Sequence, residues 1–221
     1  MFRPKLETLP PAQRAIWPLL AEIPRNFVLY GGTAVALRLG HRVSVDFDFF
    51  SAESFRPEAI LNGVSWLRAP EPRFLQRQNN TLTVEADGPG GAVKFSFFGG
   101  LAIGQVRAPD VCADNGLKVA SAEDLLALKL ATIQQREEAK DFLDIHALLK
   151  SGMSLEQALG HLEAIHPVGT NAIITLKALV YFKGGDLDTL PDDLKRDLEA
   201  AVRRAREVVP FRGTKMPIGT V

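Results

Sequence analysis

The 221-residue chain carries 26 Lys and Arg against 26 Asp and Glu, and 46% of it is hydrophobic. That composition is globular: it excludes disordered and low-complexity classes, and a balanced charge points to no partner by bulk electrostatics. One cysteine, Cys112, excludes an internal disulfide and a cysteine-rich zinc site. No apolar stretch reaches the ~18 residues of a membrane span. The N-terminal MFRPKLETLPP lacks the apolar h-region of a signal peptide, so a cytoplasmic protein is expected.

Residues 11–22 place Ala15, Ile16, Leu19 and Leu20 at helical spacing, with Pro18 limiting or kinking the helix. Residues 27–30, FVLY, are a short apolar run ending in Gly31-Gly32 and read as a buried strand. A helix over 33–39 follows, with Thr33 as its N-cap. Residues 43–50, VSVDFDFF, alternate and read as a strand. Pro57 opens a short helix over 57–63. Residues 81–86 and 92–98 flank Asp87-Gly88-Pro89-Gly90-Gly91, which predicts a hairpin.

The second half is helical. Ser121 with Asp124 forms a capping-box signal, a helix is predicted over 138–149, and Gly152 stops it. Ser154 and Gln157 open another helix running to about Ile165. Two more are expected over 171–183 and 192–208. Together these predict an α+β fold: a mixed sheet packed by helices over 1–120, then a helical subdomain over 121–221.

The chemistry concentrates in LYGGTAVALRLGHRVSVDFDFF. Side chains alternate along a strand, so Val45, Phe47 and Phe49 share one face, and Ser44, Asp46 and Asp48 share the other. Two carboxylates one alternation apart, about 7 Å along the strand, repel each other unless a cation joins them. Mg²⁺ suits the pair, because it takes hard oxygen ligands and shares them with substrate phosphates. Two aspartates on a solvated strand edge that bind nothing are the alternative reading. Upstream, Gly31-Gly32 lies between a strand and a helix start, where backbone N–H groups approach an anion. Strand, Gly-Gly-Thr, helix, then a strand with paired acids sets a phosphate cradle beside a metal site. It is neither a Walker A loop nor a GxGxxG turn.

Two motifs carry a family resemblance. GGTAVALRLGHRVSVDFDFF at 31–50 resembles the GG(T/S)AL, HR, Ser and DxD motif of the AbiEii/AbiGii-type nucleotidyltransferases, with Val35 in place of the second Leu. These belong to the DNA polymerase beta-like nucleotidyltransferase superfamily. ASAEDLLALKLATIQQREEAKDFLDIHALL at 120–149 resembles the family's helical motif through Asp124, Lys129, Arg136, Lys140, Asp141 and Asp144. The resemblance covers about residues 10–150. It implies a polymerase-beta-like core in which Asp46 and Asp48 hold Mg²⁺ against an NTP. It also implies that Gly31, Gly32 and Thr33 cradle phosphate, that Lys129 contacts the nucleotide phosphates, and that Asp141 or Asp144 completes the site. Members are often toxins with a cognate antitoxin, and some act on tRNA 3′ ends. The implied activity is Mg-dependent transfer of NMP to an acceptor hydroxyl, with RNA or tRNA as the acceptor class.

The residues add detail. Arg42 is placed to clamp phosphate, and Ser44 lies on the aspartates' face. Asp141 and Asp144, at i and i+3 with Ile145 and Leu148 continuing their face, point inward and need partners among Lys129, Arg136 and Lys140. A buried ion-pair network between two helices is the plainer account of them, and a snorkelling surface side chain that of Lys129. The family's third carboxylate falls at Ser96, with Glu85 on the paired strand as a substitute. Without either, the protein reads as a nucleotide- or partner-binding module of the same fold. Transfer to a small molecule such as an aminoglycoside is a third option. The basic run Arg203, Arg204, Arg206, Arg212 and Lys215 reads as a solvated face or a nucleic-acid contact.

Overall fold

The structure is a computed structural model that describes residues 2–68, 71–88, 90–166 and 170–220. The chain divides into two compact units, Met1–Ile103 with Ala108–Ser121 and Pro217–Val221, and Gly104–Arg107 with Ala122–Met216.

The first unit is built on a seven-stranded sheet. Its strands are β1 (Val28–Tyr30), β2 (Asp46–Phe50), β3 (Arg73–Gln78), β4 (Thr81–Gly88), β5 (Gly91–Phe98), β7 (Asp110–Val111) and β8 (Lys118–Val119). Their order is β3-β4-β5-β2-β1-β8-β7, with β2–β5 and β1–β8 parallel and the other pairs antiparallel, so the sheet is mixed. Aromatic packing sets the central register. Phe47 stacks on Phe95 with centroids 5.4 Å apart and Phe49 on Phe97 at 5.0 Å, and all four rings are buried. A one-residue slip between β2 and β5 would turn these rings to the opposite face. The core therefore holds Asp46 beside Lys94 and Asp48 beside Ser96 on the face the rings leave.

The helix expected over 11–22 is divided. It is α-helical as α1 (Pro11–Ile16) and tightens into 3₁₀ geometry over Trp17–Glu22. Pro18 has no N–H for the α-helical bond to Arg14, which accounts for the break. The next helix, α2 (Gly31–Leu39), begins at Gly31, two residues before the predicted start. Thr33 is thus its third residue and not its N-cap. Gly40, at φ +71°, ends it in the left-handed conformation that glycine tolerates.

The strand expected over 43–50 starts only at Asp46, and Val45 does not share the buried face of Phe47 and Phe49: Val43 and Val45 are 59% and 53% exposed, whereas Ser44 is buried. The approach segment is pinned off the sheet instead. The Ser44 N–H donates to the Thr8 carbonyl at 3.4 Å, and the Gln13 amide donates to the Val45 carbonyl at 2.8 Å. Residues 57–63 form α3 as expected. The hairpin also forms, with Gly88 paired to Gly91; Pro89 lies outside the described residues.

The second unit contains β6 (Gly104–Gln105), α4 (Ala122–Thr132), α5 (Ala139–Lys150), α6 (Leu155–Ile165), α7 (Ala172–Leu179) and α8 (Asp192–Arg204). The Ser154 hydroxyl accepts from the Gln157 N–H and caps α6 as the spacing predicts. The helix expected over 171–183 ends at Leu179, with Asn171 capping its start. That expected over 192–208 ends at Arg204. Pro210 disfavours helical geometry at Val209, and the Val209 N–H is committed to the Glu156 carbonyl at 3.1 Å. The Val209 carbonyl occupies the space a side chain at Gly160 would need. Among the described residues, no helix is long and apolar enough to cross a membrane.

Candidate active site

In the sheet unit, β1 runs into the start of α2 and is paired with β2 so that Tyr30 faces Asp48. This brings the Gly-Gly corner against the acids. A methyl group placed on Gly31, which has φ +71°, would lie 2.5 Å from Asp48 Oδ2. One on Gly32 would collide with the Arg42 guanidinium and lie 3.2 Å from Ser44 Oγ. Gly31 is required by its backbone angle and by the close approach of Asp48, whereas a methyl at Gly32 would have to move only the end of the Arg42 side chain. The Thr33 hydroxyl donates to the Asp46 carbonyl and lies 2.9 Å from Ser44 Oγ, tying α2 to the start of β2. Gly31, Gly32, Thr33, Arg42, Ser44, Asp46 and Asp48 therefore form one patch. The first N–H groups of α2 have no acceptor within the helix and head a positive dipole end.

The donor set suits a hard divalent cation. Asp46 and Asp48 present carboxylates on one face of β2, and both are half-buried. Among the described residues, no group of three or more His, Cys, Asp and Glu side chains lies together. A closed site with four protein ligands, as structural zinc demands, is not built here. Mg²⁺, held by one or two carboxylates with water and phosphate oxygens, fits two aspartates beside a phosphate-binding corner.

The register gives Ser96 as the partner of Asp48 on β5. Ser96 is buried and cannot take up a proton as a carboxylate would. Glu85 is the partner of Lys94 on the far side of β5, and its carboxylate accepts from Arg73 Nε at 2.9 Å. It thus lies two strands from Asp46 and is engaged elsewhere. Sequence reasoning missed the role of Lys94, whose ammonium sits 3.4 Å from Asp46 Oδ2. Alternation alone put Lys94 on the face of Ser96, but its pairing with Asp46 depends on a parallel contact between strands 48 residues apart.

In the helical unit, Lys129, Asp141 and Asp144 converge. Lys129 Nζ lies 2.6 Å from both Asp141 Oδ1 and Asp144 Oδ2, and both carboxylates are fully buried. Arg136 grips Asp141 through Nε at 2.7 Å and Nη2 at 3.1 Å. Lys140, considered as a partner for these acids, pairs instead with Glu138 at 2.7 Å. Burial alone would push the Asp141 carboxyl up, but the hydrogen bond from Arg136 and the charge of Lys129 outweigh it and hold the group below its usual value. A depressed folded-state pKa stabilises the fold above the ordinary carboxylate value near 4 and loses that contribution as pH falls through the folded value. Thermal melts should accordingly show stability dropping steeply below about pH 4, and Asp141→Asn should flatten that decline.

Cys112 is buried, and burial foremost raises its thiol to about 12, which suits a core thiol and not a nucleophile.

A family model described as "Nucleotidyl transferase AbiEii toxin, Type IV TA system" matches residues 19–207. The chain belongs to this family. An uncharacterized protein of Aquifex aeolicus is 34% identical over 166 residues, 73% of this chain and 76% of that protein. The fold is shared with a candidate nucleotidyltransferase from H. pylori, with TM-score 0.55 and 18% identity over 86% of this chain and 90% of that one. It is also shared with an antigenic nucleotidyltransferase-like protein from Paracoccidioides brasiliensis, with TM-score 0.51 and 15% identity over 90% of this chain and 96% of that one. The α+β nucleotidyltransferase fold expected from the AbiEii motifs is thus the fold observed, and the family match extends well beyond residue 150.

Proposed function

We propose that this AbiEii-family protein transfers a nucleoside monophosphate from an NTP to an acceptor hydroxyl, as the enzyme of a toxin–antitoxin pair. The acceptor oxygen forms a bond to the α-phosphorus, the bond from that phosphorus to the β-phosphate bridge breaks, and pyrophosphate leaves. The observation that carries the reading is the contact between the acids and the glycine corner: Asp48 rests against Gly31 at the head of α2, with Asp46 beside it. The N–H groups of Gly31, Gly32 and Thr33 bind phosphate oxygens, Arg42 supplies a guanidinium, and Ser44 a hydroxyl. Asp46 and Asp48 hold Mg²⁺, which would stabilise charge on the attacking and leaving oxygens.

Within the helical unit, Lys129 is proposed to contact nucleotide phosphates, with Asp141 or Asp144 beside it, as the AbiEii resemblance implies. The Lys129 ammonium is directed at both of these carboxylates. With Ser96 facing Asp48, the proton of the attacking hydroxyl passes to solvent. The chemical step is then slower, by about 10² to 10⁴, than with a positioned base. A single-stranded RNA end, such as that of a tRNA, is the acceptor class; a cognate antitoxin and a cytoplasmic site of action complete the proposal.

The test is incorporation of labelled NTP into an RNA pool. Asp46→Ala/Asp48→Ala abolishes labelling while the protein still unfolds cooperatively, since both carboxylates are only half-buried. Labelling at the wild-type rate would refute the assignment.

The pairing of Asp48 with Ser96 favours a second reading, a module that binds nucleotide without transferring it. Calorimetry with each NTP and Mg²⁺ that finds binding, together with no incorporation into any acceptor, would favour that module.

A further inference from the structure

Lys94 is absent from every role assigned so far, yet its ammonium stands 3.4 Å from one of the proposed metal ligands, Asp46. The register lays out a row across four strands: Arg73 on β3, Glu85 on β4, Lys94 on β5 and Asp46 on β2. Glu85 is held by Arg73. Lys94 leans the other way, to 3.4 Å from Asp46 Oδ2, and both partners keep more than a third of their side chains exposed. Both partners are therefore within reach of solvent, from which a cation would also arrive.

We propose that Lys94 is an electrostatic interlock that makes metal and nucleotide bind together. The argument rests on the reading of Asp46 and Asp48 as metal ligands. Lys94 sets one positive charge against Asp46, one of the two aspartates. A divalent ion arriving alone must enter beside a fixed ammonium, at a range where like charges repel strongly. A triphosphate reverses the balance: its negative oxygens attract the same ammonium, which turns from Asp46 to phosphate as the metal takes the carboxylate. Lys94 thus weakens binding of the bare ion, strengthens binding of the metal–triphosphate complex, and so couples the two ligands. Such coupling is reciprocal, each ligand raising the affinity of the other by the same factor. Lys94 is a positioning residue in this scheme.

The experiment measures Mn²⁺ by electron paramagnetic resonance, with and without α,β-methylene-ATP, in wild type, Lys94→Met, Lys94→Gln, Asp46→Asn and Asp48→Asn, all checked by thermal melts. Both Lys94 variants should bind Mn²⁺ alone about tenfold more tightly than wild type. The factor by which the nucleotide analogue improves Mn²⁺ binding should fall by about tenfold. A gain of affinity is a result that loss of a merely structural tie would not give, and two variants guard against a folding defect in one. If the Lys94 variants bind Mn²⁺ no more tightly than wild type while Asp46→Asn abolishes binding, the interlock is wrong and the metal site stands. If Asp46→Asn and Asp48→Asn bind Mn²⁺ as wild type does, the metal site itself is wrong and the interlock falls with it.

Discussion

Lys129→Met should lower the unfolding free energy by about 3–5 kcal/mol, read from urea melts, the usual cost of removing one partner from a buried charge cluster. The ammonium serves two carboxylates that have no exposure to water, each at 2.6 Å. Asp141 keeps Arg136 after the substitution, and both carboxylates lose the ammonium. Adding Asp144→Leu should recover a large part of the stability, because replacing a buried pair by apolar groups of similar size is often neutral. The pair of variants separates two roles. If Lys129 and Asp144 also serve the nucleotide, the restored double variant still binds NTP weakly; wild-type NTP affinity in that stable variant would leave both of them structural ties. A destabilisation below about 1 kcal/mol in the single variant would contradict the burial argument outright.

Gly31→Ala should reduce kcat/KM by about 10²-fold or more while costing the fold much less. Two separate penalties meet there. A left-handed φ costs a residue with a Cβ roughly 1–2 kcal/mol. The new methyl would also stand 2.5 Å from Asp48 Oδ2, so the carboxylate must withdraw by about an ångström. A displacement of that size at a reacting centre is enough for a hundredfold loss. The contrast with Gly152→Ala is the control. Gly152 also has positive φ, but nothing lies within 4 Å of its would-be Cβ, so that variant pays the backbone cost without the catalytic one. Equal activity in the two alanine variants would contradict the role of Asp48.

The features legible in the sequence were the local and periodic ones. Alternation in DFDFF put both aspartates on the face opposite Phe47 and Phe49, and the pleat kept them there. The i, i+3 spacing of Asp141 and Asp144 with Ile145 and Leu148 turned the acids inward, where burial required the cations found. Turn glycines located the hairpin. What escaped were features decided by distant segments. Val45 looked like the next core residue of its strand, but Gln13 and Thr8 hold the backbone off the sheet until Asp46. Thr33 looked like a cap, but its hydroxyl serves Asp46 and Ser44, and α2 starts at glycines that local propensity would exclude from a helix. The parallel pairing of β2 with β5 joins segments whose separation no local pattern encodes, and with it came the contact between Lys94 and Asp46. The two-residue strands β7 and β8 are too short to carry any alternation.

The AbiEii match and the shared nucleotidyltransferase fold frame the chemistry, but the proposal stands on one small arrangement: two carboxylates, a glycine corner and a helix start brought together by an aromatic core. A crystal structure with Mg²⁺ and α,β-methylene-ATP tests it most directly. The account predicts the triphosphate against the N–H groups of Gly31, Gly32 and Thr33, with the metal between its oxygens and the carboxylates of Asp46 and Asp48. A nucleotide bound elsewhere, or bound there with no metal on either aspartate, would contradict it.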